Sequence, residues 1–342
     1  MNSKRLRQFF DTAKVDAVLL HNSDWMGALD PNYFYFTGLS LDNSILVARR
    51  HGPASLLCTD LNYGLAKQEA KGMKVLKLER QTLPQALKRL LKGCKKVGIN
   101  SRSLRVSTYA KFKQAGRRFI DVSDELGENR AVKEEAEIST MKKCVNETKE
   151  ILDALEIRPG KSELDIVKQA RVRSIEAGLD ISFPPIVASG PNTRVPHSIP
   201  TSRKIGMNDV VLVDFGLMMG GYCSDLTRCY FTGPCKEEKG VHAKLVEIQE
   251  ELAAYAHAGL PVAELVMESV DLIRRAGLPP LPHSIGHGIG LEVHEQPYLF
   301  AKSKKKLEQN MVIAIEPSCY LKKFGLRYEN NFVVEKQKAR ML

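Results

Sequence analysis

The chain has 342 residues, 43% hydrophobic and 27% charged, which excludes a disordered, collagen-like or fibrous protein and predicts two domains or one unusually large one. Its net charge of +11 suggests nucleic acid until it is located: residues 1–125 hold 22 Lys and Arg against 11 Asp and Glu, and the rest balances at 29 of each. No stretch approaches the roughly 18 apolar residues of a membrane span and the start has no signal-peptide core, so a cytoplasmic location without membrane partners is expected.

In chain order, residues 16–20, 44–48 and 95–100 read as strands and 83–91 as a helix, an α/β layer domain over 1–126. Lys88, Arg89, Lys92, Lys95 and Lys96 follow a helical pattern, and a solvated face is the ordinary meaning of such a run, so nucleic acid is disfavoured as a partner. From Arg130 to about Glu156 a long amphipathic stretch carries Ile138, Met141, Val145, Ile151 and Leu152 at helical spacing. Ser162 and Asp165 form a capping-box pattern that opens a helix over 163–177. Strand-like runs follow at 183–190 and 210–216, then helices at about 236–257 and 262–276. A glycine- and histidine-rich run occupies 283–294, and strands return at 311–317 and 326–334. Residues 127–342 therefore read as a second, α+β domain.

The seven cysteines are an odd set without a Cys-x-x-Cys, which predicts reduced thiols rather than a disulfide framework. Cys223, Cys229 and Cys235 recur every six residues, but a strand and its exit produce that spacing without any metal.

The carboxylates are more informative. Met218-Met-Gly-Gly is a natural hairpin turn, and such a hairpin sets Asp214 opposite Asp225. Glu316 and Glu329 likewise end or interrupt apolar strand runs, so four acids face burial while Arg327 alone can offset them. Divalent cations restore the balance, and oxygen donors with an imidazole suit first-row metals. Among the histidines, those at 283, 287 and 294 sit between glycines that rule out a regular helix, which leaves His287 free to turn toward a metal; His197 stands in a proline-bounded loop.

Taken together, Asp214-Phe-Gly, Ser224-Asp-Leu-Thr-Arg, His287-Gly-Ile-Gly-Leu-Glu-Val-His-Glu, Ile315-Glu-Pro and Leu326-Arg-Tyr-Glu-Asn resemble the metallopeptidase family of methionine aminopeptidase, aminopeptidase P and prolidase. The resemblance covers about residues 130–334 and implies a pita-bread catalytic domain. The α/β domain ahead of it points to the prolidase and aminopeptidase P branch, with its creatinase-like N-terminal domain. It implies Asp214, Asp225, His287, Glu316 and Glu329 as ligands of two divalent ions, manganese or cobalt ahead of iron or zinc. Glu316 is implied as general base, His294 as the group that polarises the scissile carbonyl, and His197 as a hydrogen-bond donor to the leaving nitrogen or oxyanion.

The expected activity is hydrolysis of Xaa-Pro bonds at the N-terminus of short peptides, by a homodimer. The alternatives are an aminopeptidase without proline preference and a catalytically silent relative that binds peptides, histones or nucleic acid. Four residues after His294, where some prolidases carry an arginine for the substrate carboxylate, this chain has Tyr298; Arg327 is the other candidate for that contact. Ser318 stands where glycine is common, and Asn330 and Asn331 where further acids often follow.

Overall fold

The computed structural model describes residues 1–23, 30–78 and 83–342, and the chain divides into two compact units, Met1–Arg130 and Ala131–Leu342. Among the described residues no helix is long and apolar enough to cross a membrane.

The first unit is built on strands β1 (Ala17–Asn22), β2 (Ser44–Arg49), β3 (Ser55–Cys58), β4 (Lys74–Lys77), β5 (Lys96–Ile99) and β6 (Arg118–Asp121), in the sheet order β4-β3-β2-β1-β5-β6. β1 runs antiparallel to β2 and parallel to β5, so the sheet is mixed. Helices α1 (Ser3–Thr12), α2 (Pro31–Thr37), α3 (Asp60–Glu69), α4 (Leu83–Leu90), α5 (Val106–Lys113) and α6 (Ser123–Ala131) complete it. Leu83, Leu87 and Leu91, one face of the predicted 83–91 helix, join Val97, Ile99 and Phe112 in the core.

In the second unit the long stretch after Arg130 is not one helix. Val132 makes an antiparallel bridge to Met311 and the Lys133 amide donates to the Asn310 carbonyl, so backbone pairing delays the helix. α7 (Glu135–Asp153) starts only where the Glu134 and Glu137 side chains close a reciprocal cap. α8 (Glu163–Glu176) opens on the Ser162–Asp165 box, with both hydrogen bonds formed. α9 (Lys236–Tyr255) and α10 (Val262–Arg275) fall within the two ranges expected for helices.

The strands are β7 (Asp180–Ile181), β8 (Ile186–Ser189), β9 (Val210–Phe215), β10 (Leu217–Met219), β11 (Tyr222–Cys223), β12 (Leu226–Phe231), β13 (Gly286–Gly288), β14 (Glu295–Tyr298), β15 (Val312–Ile315), β16 (Ser318–Tyr320), β17 (Gly325–Arg327), β18 (Asn330–Val334) and β19 (Ala339–Met341). Two sheets matter for the site: β12-β9-β8 and β14-β13-β15-β18-β19. Apolar side chains of α7 and α8 pack with the first, and those of α9 and α10 with the second. The two sheets meet at a bridge between Thr227 and Glu329.

The predicted turn at Met218-Met-Gly-Gly exists, but it joins β10 to β11 rather than β9 to β12. At Gly216 the chain leaves one sheet for another, and a Cβ there would lie 2.0 Å from the Ser224 carbonyl oxygen. The resulting register sets Asp214 opposite Thr227, with Asp225 two residues before it. Asp214 and Asp225 are therefore diagonal neighbours on one face, not a direct cross-strand pair.

Candidate metal centre

Strand parity gathers the acids. His287 pairs with Ala314 on β15 and Ala314 pairs with Asn331 on β18, so these three share a face with Glu316 and Glu329, each two residues away along its strand direction. Thr227 carries Asp225 and Asp214 toward the same point from the other sheet. A cavity of about 360 Å³ opens there, lined by all five expected ligands with His197, His283, His294, Tyr298 and Phe300.

One oxygen each from Asp214, Asp225 and Glu329 lie within 4.8 Å of one another, as do ligand atoms of His287, Glu316 and Glu329, and of Asp225, His287 and His294. The His287 Nε2 is 3.6 Å from an Asp225 oxygen and 3.9 Å from a Glu329 oxygen. Its Nδ1 lies 3.1 Å from the Gly288 carbonyl, which can only accept, so the proton sits on Nδ1 and the Nε2 lone pair faces the acids. Burial and the neighbouring His294 ring depress the His287 pKa to about 3, which keeps that lone pair free.

Asp225 and Glu316 are pushed well above the usual carboxylate range by burial and then by the Glu329 charge; burial and Asp214 raise Glu329 to about 7. The Oδ1 atoms of Asp214 and Asp225 are buried with no hydrogen-bond partner. Orphaned carboxylate oxygens beside mutually repelling acids are what a hard or borderline divalent cation satisfies, so the donor set fits divalent metal ions.

Arg327 lies among the acids. Its guanidinium is 2% exposed and donates to Asp214 through Nη2, to Thr227 Oγ1 through Nε at 2.9 Å, and to Pro196 O and Tyr320 Oη through Nη1 at 3.4 and 3.2 Å. These contacts turn its guanidinium toward the acids. Tyr298 stays exposed at the cavity wall, beside Phe300. His197 and His294 are exposed and line the same cavity.

Several residues gain a role that the sequence alone did not assign them. Thr227 Oγ1 donates to Glu329 at 2.8 Å while accepting from Arg327. The Asn331 amide clamps Asp225, accepting from its N–H at 3.0 Å and donating to its carbonyl at 2.9 Å, a dual role no carboxylate can fill. Asn330 bridges Gln249 and Arg228, and the Ser318 hydroxyl donates to the Glu316 carbonyl. His283 lies 3.7 Å from a Glu316 oxygen and 3.3 Å from the Tyr320 hydroxyl.

The raised acids predict how metal-free protein responds to pH. A carboxyl whose folded pKa is about 7 against an ordinary 4.5 holds its proton more tightly folded than unfolded. Its stabilising contribution is complete below 4.5 and is lost as pH rises through about 7. His287 acts oppositely, losing stability as pH falls below 6.5 toward 3, so a difference against a variant isolates the acid. Metal-free Glu329→Gln should therefore gain on the parent between about pH 5 and about pH 8, by up to about 3 kcal/mol. Urea unfolding across that range measures it, and a pH-independent difference would refute the buried-charge account.

Comparison with known proteins identifies the family. The profile of metallopeptidase family M24 matches residues 139–336, and that of the creatinase/prolidase N-terminal domain matches residues 3–132. The chain is 29% identical to an Xaa-Pro dipeptidase of Pyrococcus horikoshii over 347 residues, covering 99% of this chain and 95% of that protein. The crystal structure of an X-Pro aminopeptidase from Thermotoga maritima superposes with a TM-score of 0.89 at 29% identity, across 98% of this chain and 97% of the other. An Xaa-Pro dipeptidase from Bacillus anthracis gives 0.89 at 28%, across 99% and 95%. The creatinase-like α/β domain and the pita-bread domain expected from the motifs are both present, and the chain belongs to metallopeptidase family M24.

Proposed function

We propose that this protein is a dinuclear metallopeptidase that hydrolyses Xaa-Pro bonds at the N-terminus of short peptides. The observation that carries the reading is the pair of overlapping donor clusters that share Glu329, in a cavity whose acids outnumber its one engaged arginine. Asp214, Asp225 and Glu329 form one cluster and His287, Glu316 and Glu329 the other. The names of the relatives, dipeptidases and aminopeptidases acting on Xaa-Pro, support the same substrate class.

When bound, two divalent ions, manganese or cobalt by preference, supply a nucleophilic water near neutral pH and polarise the scissile carbonyl. Glu316 would serve as the base that accepts a proton at its carboxylate and later returns it to the leaving nitrogen. His294 donates a hydrogen bond to the carbonyl oxygen and His197 to the leaving nitrogen or the oxyanion. Arg327 and Thr227 hold Asp214 and Glu329 in place before substrate arrives. The leaving nitrogen, like that of any amide, departs only with a proton delivered to it, and the imide nitrogen of proline, lacking an N–H, cannot donate a hydrogen bond to the site beforehand.

Substrate length follows from the cavity wall. Among the described residues Arg327 is the one Lys or Arg lining the cavity, and it is turned to the acids. A dipeptide's free carboxylate thus finds Tyr298 rather than a cation, and Xaa-Pro tripeptides should be cleaved alongside dipeptides. The test compares kcat/KM for an Xaa-Pro dipeptide and its C-terminal amide, after chelation and reloading with manganese. We expect a change below about threefold, whereas a lost charge-assisted contact would cost about 1.5–3 kcal/mol, or ten- to hundredfold. A drop of that size would restore a strict dipeptidase, and no hydrolysis of either peptide would overturn the proposed activity.

A further inference from the structure

Glu163 is 0% exposed at the first position of α8, and among the described residues it forms no ion pair. A buried carboxylate without a cation is costly unless hydrogen bonds replace its water. Both oxygens are fully engaged here. Oε1 accepts from the Ser189 N–H at 2.7 Å, the Ser189 hydroxyl at 2.8 Å and the Asn192 amide at 3.0 Å. Oε2 accepts from the Thr201 N–H at 2.8 Å and its hydroxyl at 2.7 Å.

These donors are the two ends of one excursion. Ser189 is the last residue of β8, and residues 190–200 leave it and return to Thr201 with His197 between. The backbone reinforces the return end, where the Leu164 N–H donates to the Thr201 carbonyl at 3.2 Å. Along the returning leg Pro196 is held by Arg327 and Thr201 by Glu163, and His197 sits in the short span between these two anchors.

We propose that Glu163 is a positioning residue for His197: its two oxygens close the loop at both ends and so fix where the imidazole stands in the cavity. The inference rests on the reading of His197 as a substrate-facing donor. It explains why a charge is buried at a helix start whose capping Ser162 and Asp165 already supply. It also explains why the position needs a carboxylate. A glutamine presents one oxygen and one NH₂, so either the Ser189 or the Thr201 backbone N–H must face a donor, and a backbone N–H cannot turn away.

The test is a double-mutant cycle on the metal-loaded full chain, reading kcat, KM and bound manganese for the parent, Glu163→Gln, His197→Ala and the double variant. We expect Glu163→Gln to lower kcat roughly ten- to hundredfold with unchanged metal content, and to cost less than about threefold when His197 is already alanine. If the full loss recurs in the His197→Ala background, or if metal is lost, Glu163 serves the fold and the inference is overturned. A His197→Ala variant at the parent rate would sink the reading of His197 itself, and this inference with it. Should Glu163→Gln fail to fold, Thr201→Val removes one donor from Oε2 while keeping the side chain's shape. Its smaller loss of about three- to tenfold must likewise vanish beside His197→Ala, and an additive loss overturns the proposal.

Discussion

Glu316→Gln is expected to lower kcat by at least 10²- to 10⁴-fold, roughly the worth of a positioned general base, while the protein folds as the parent does. The position makes the substitution gentle to the fold. Glu316 lies one residue beyond β15, its N–H bonded to the Ile285 carbonyl at 2.8 Å and its carbonyl held by Ser318, and a glutamine keeps both contacts. It also removes one of four acids that repel each other, as the raised pKa values of Asp225, Glu316 and Glu329 record. Metal-free Glu316→Gln should therefore be at least as stable as the metal-free parent near pH 7. That combination separates a functional acid from a structural one, since a buried group that holds the fold destabilises when replaced. Because a glutamine oxygen can still ligate weakly, metal affinity should fall less than the rate does. Steady-state kinetics with saturating manganese, beside urea unfolding of chelated protein, makes the comparison. A rate within tenfold of the parent would remove Glu316 from the chemistry.

How much of this centre could be read from residues alone depends on the range of the interaction. Acids at the ends of apolar strand runs were legible because burying an unpaired charge is costly wherever the strand lies, so Asp214, Asp225, Glu316 and Glu329 pointed to a cation before any fold was known. The Ser162 box and the apolar face of α7 were legible for the same reason of locality. Register was not. The turn at Met218-Met-Gly-Gly is a sound local signal, yet the sheet switch at Gly216 changes which strands it joins, and Asp214 meets Thr227 instead of Asp225. Arg327 was ambiguous from parity, which put it on the ligand face without saying whether it would turn to acid or to substrate; in the structure it bonds to Asp214 and Thr227. The Asn331 clamp on Asp225, across 106 positions, leaves no local trace at all. Glu163 hides differently, since a glutamate in a helix's first turn is ordinary. Only the loop that returns to it, ending 38 residues later at Thr201, shows what it does.

His287→Ala and His294→Ala should part company in metal content, although both imidazoles reach the same point. Their ring centroids are 4.0 Å apart, and either nitrogen can join Asp225 within one donor cluster. Three features single out His287. It is buried, its Nδ1–H is spent on the Gly288 carbonyl, and its Nε2 is aimed between Asp225 and Glu329. A carbonyl behind the ring is the usual device for presenting the far nitrogen to a metal. It also has a pKa near 3, so it does not protonate in competition with the ion at neutral pH. His294 is exposed to the cavity, where a substrate carbonyl would meet it. His287→Ala should thus weaken manganese binding by more than about 10²-fold and abolish hydrolysis, since the lost donor faces three acids that then have less to offset them. His294→Ala should keep its manganese and lose roughly 10²- to 10³-fold in kcat, as expected for a missing oxyanion donor. Calorimetric titration of chelated protein with manganese separates the two. Full affinity in His287→Ala together with weak binding in His294→Ala would exchange the roles, making the exposed imidazole the ligand and leaving the buried one to orient it.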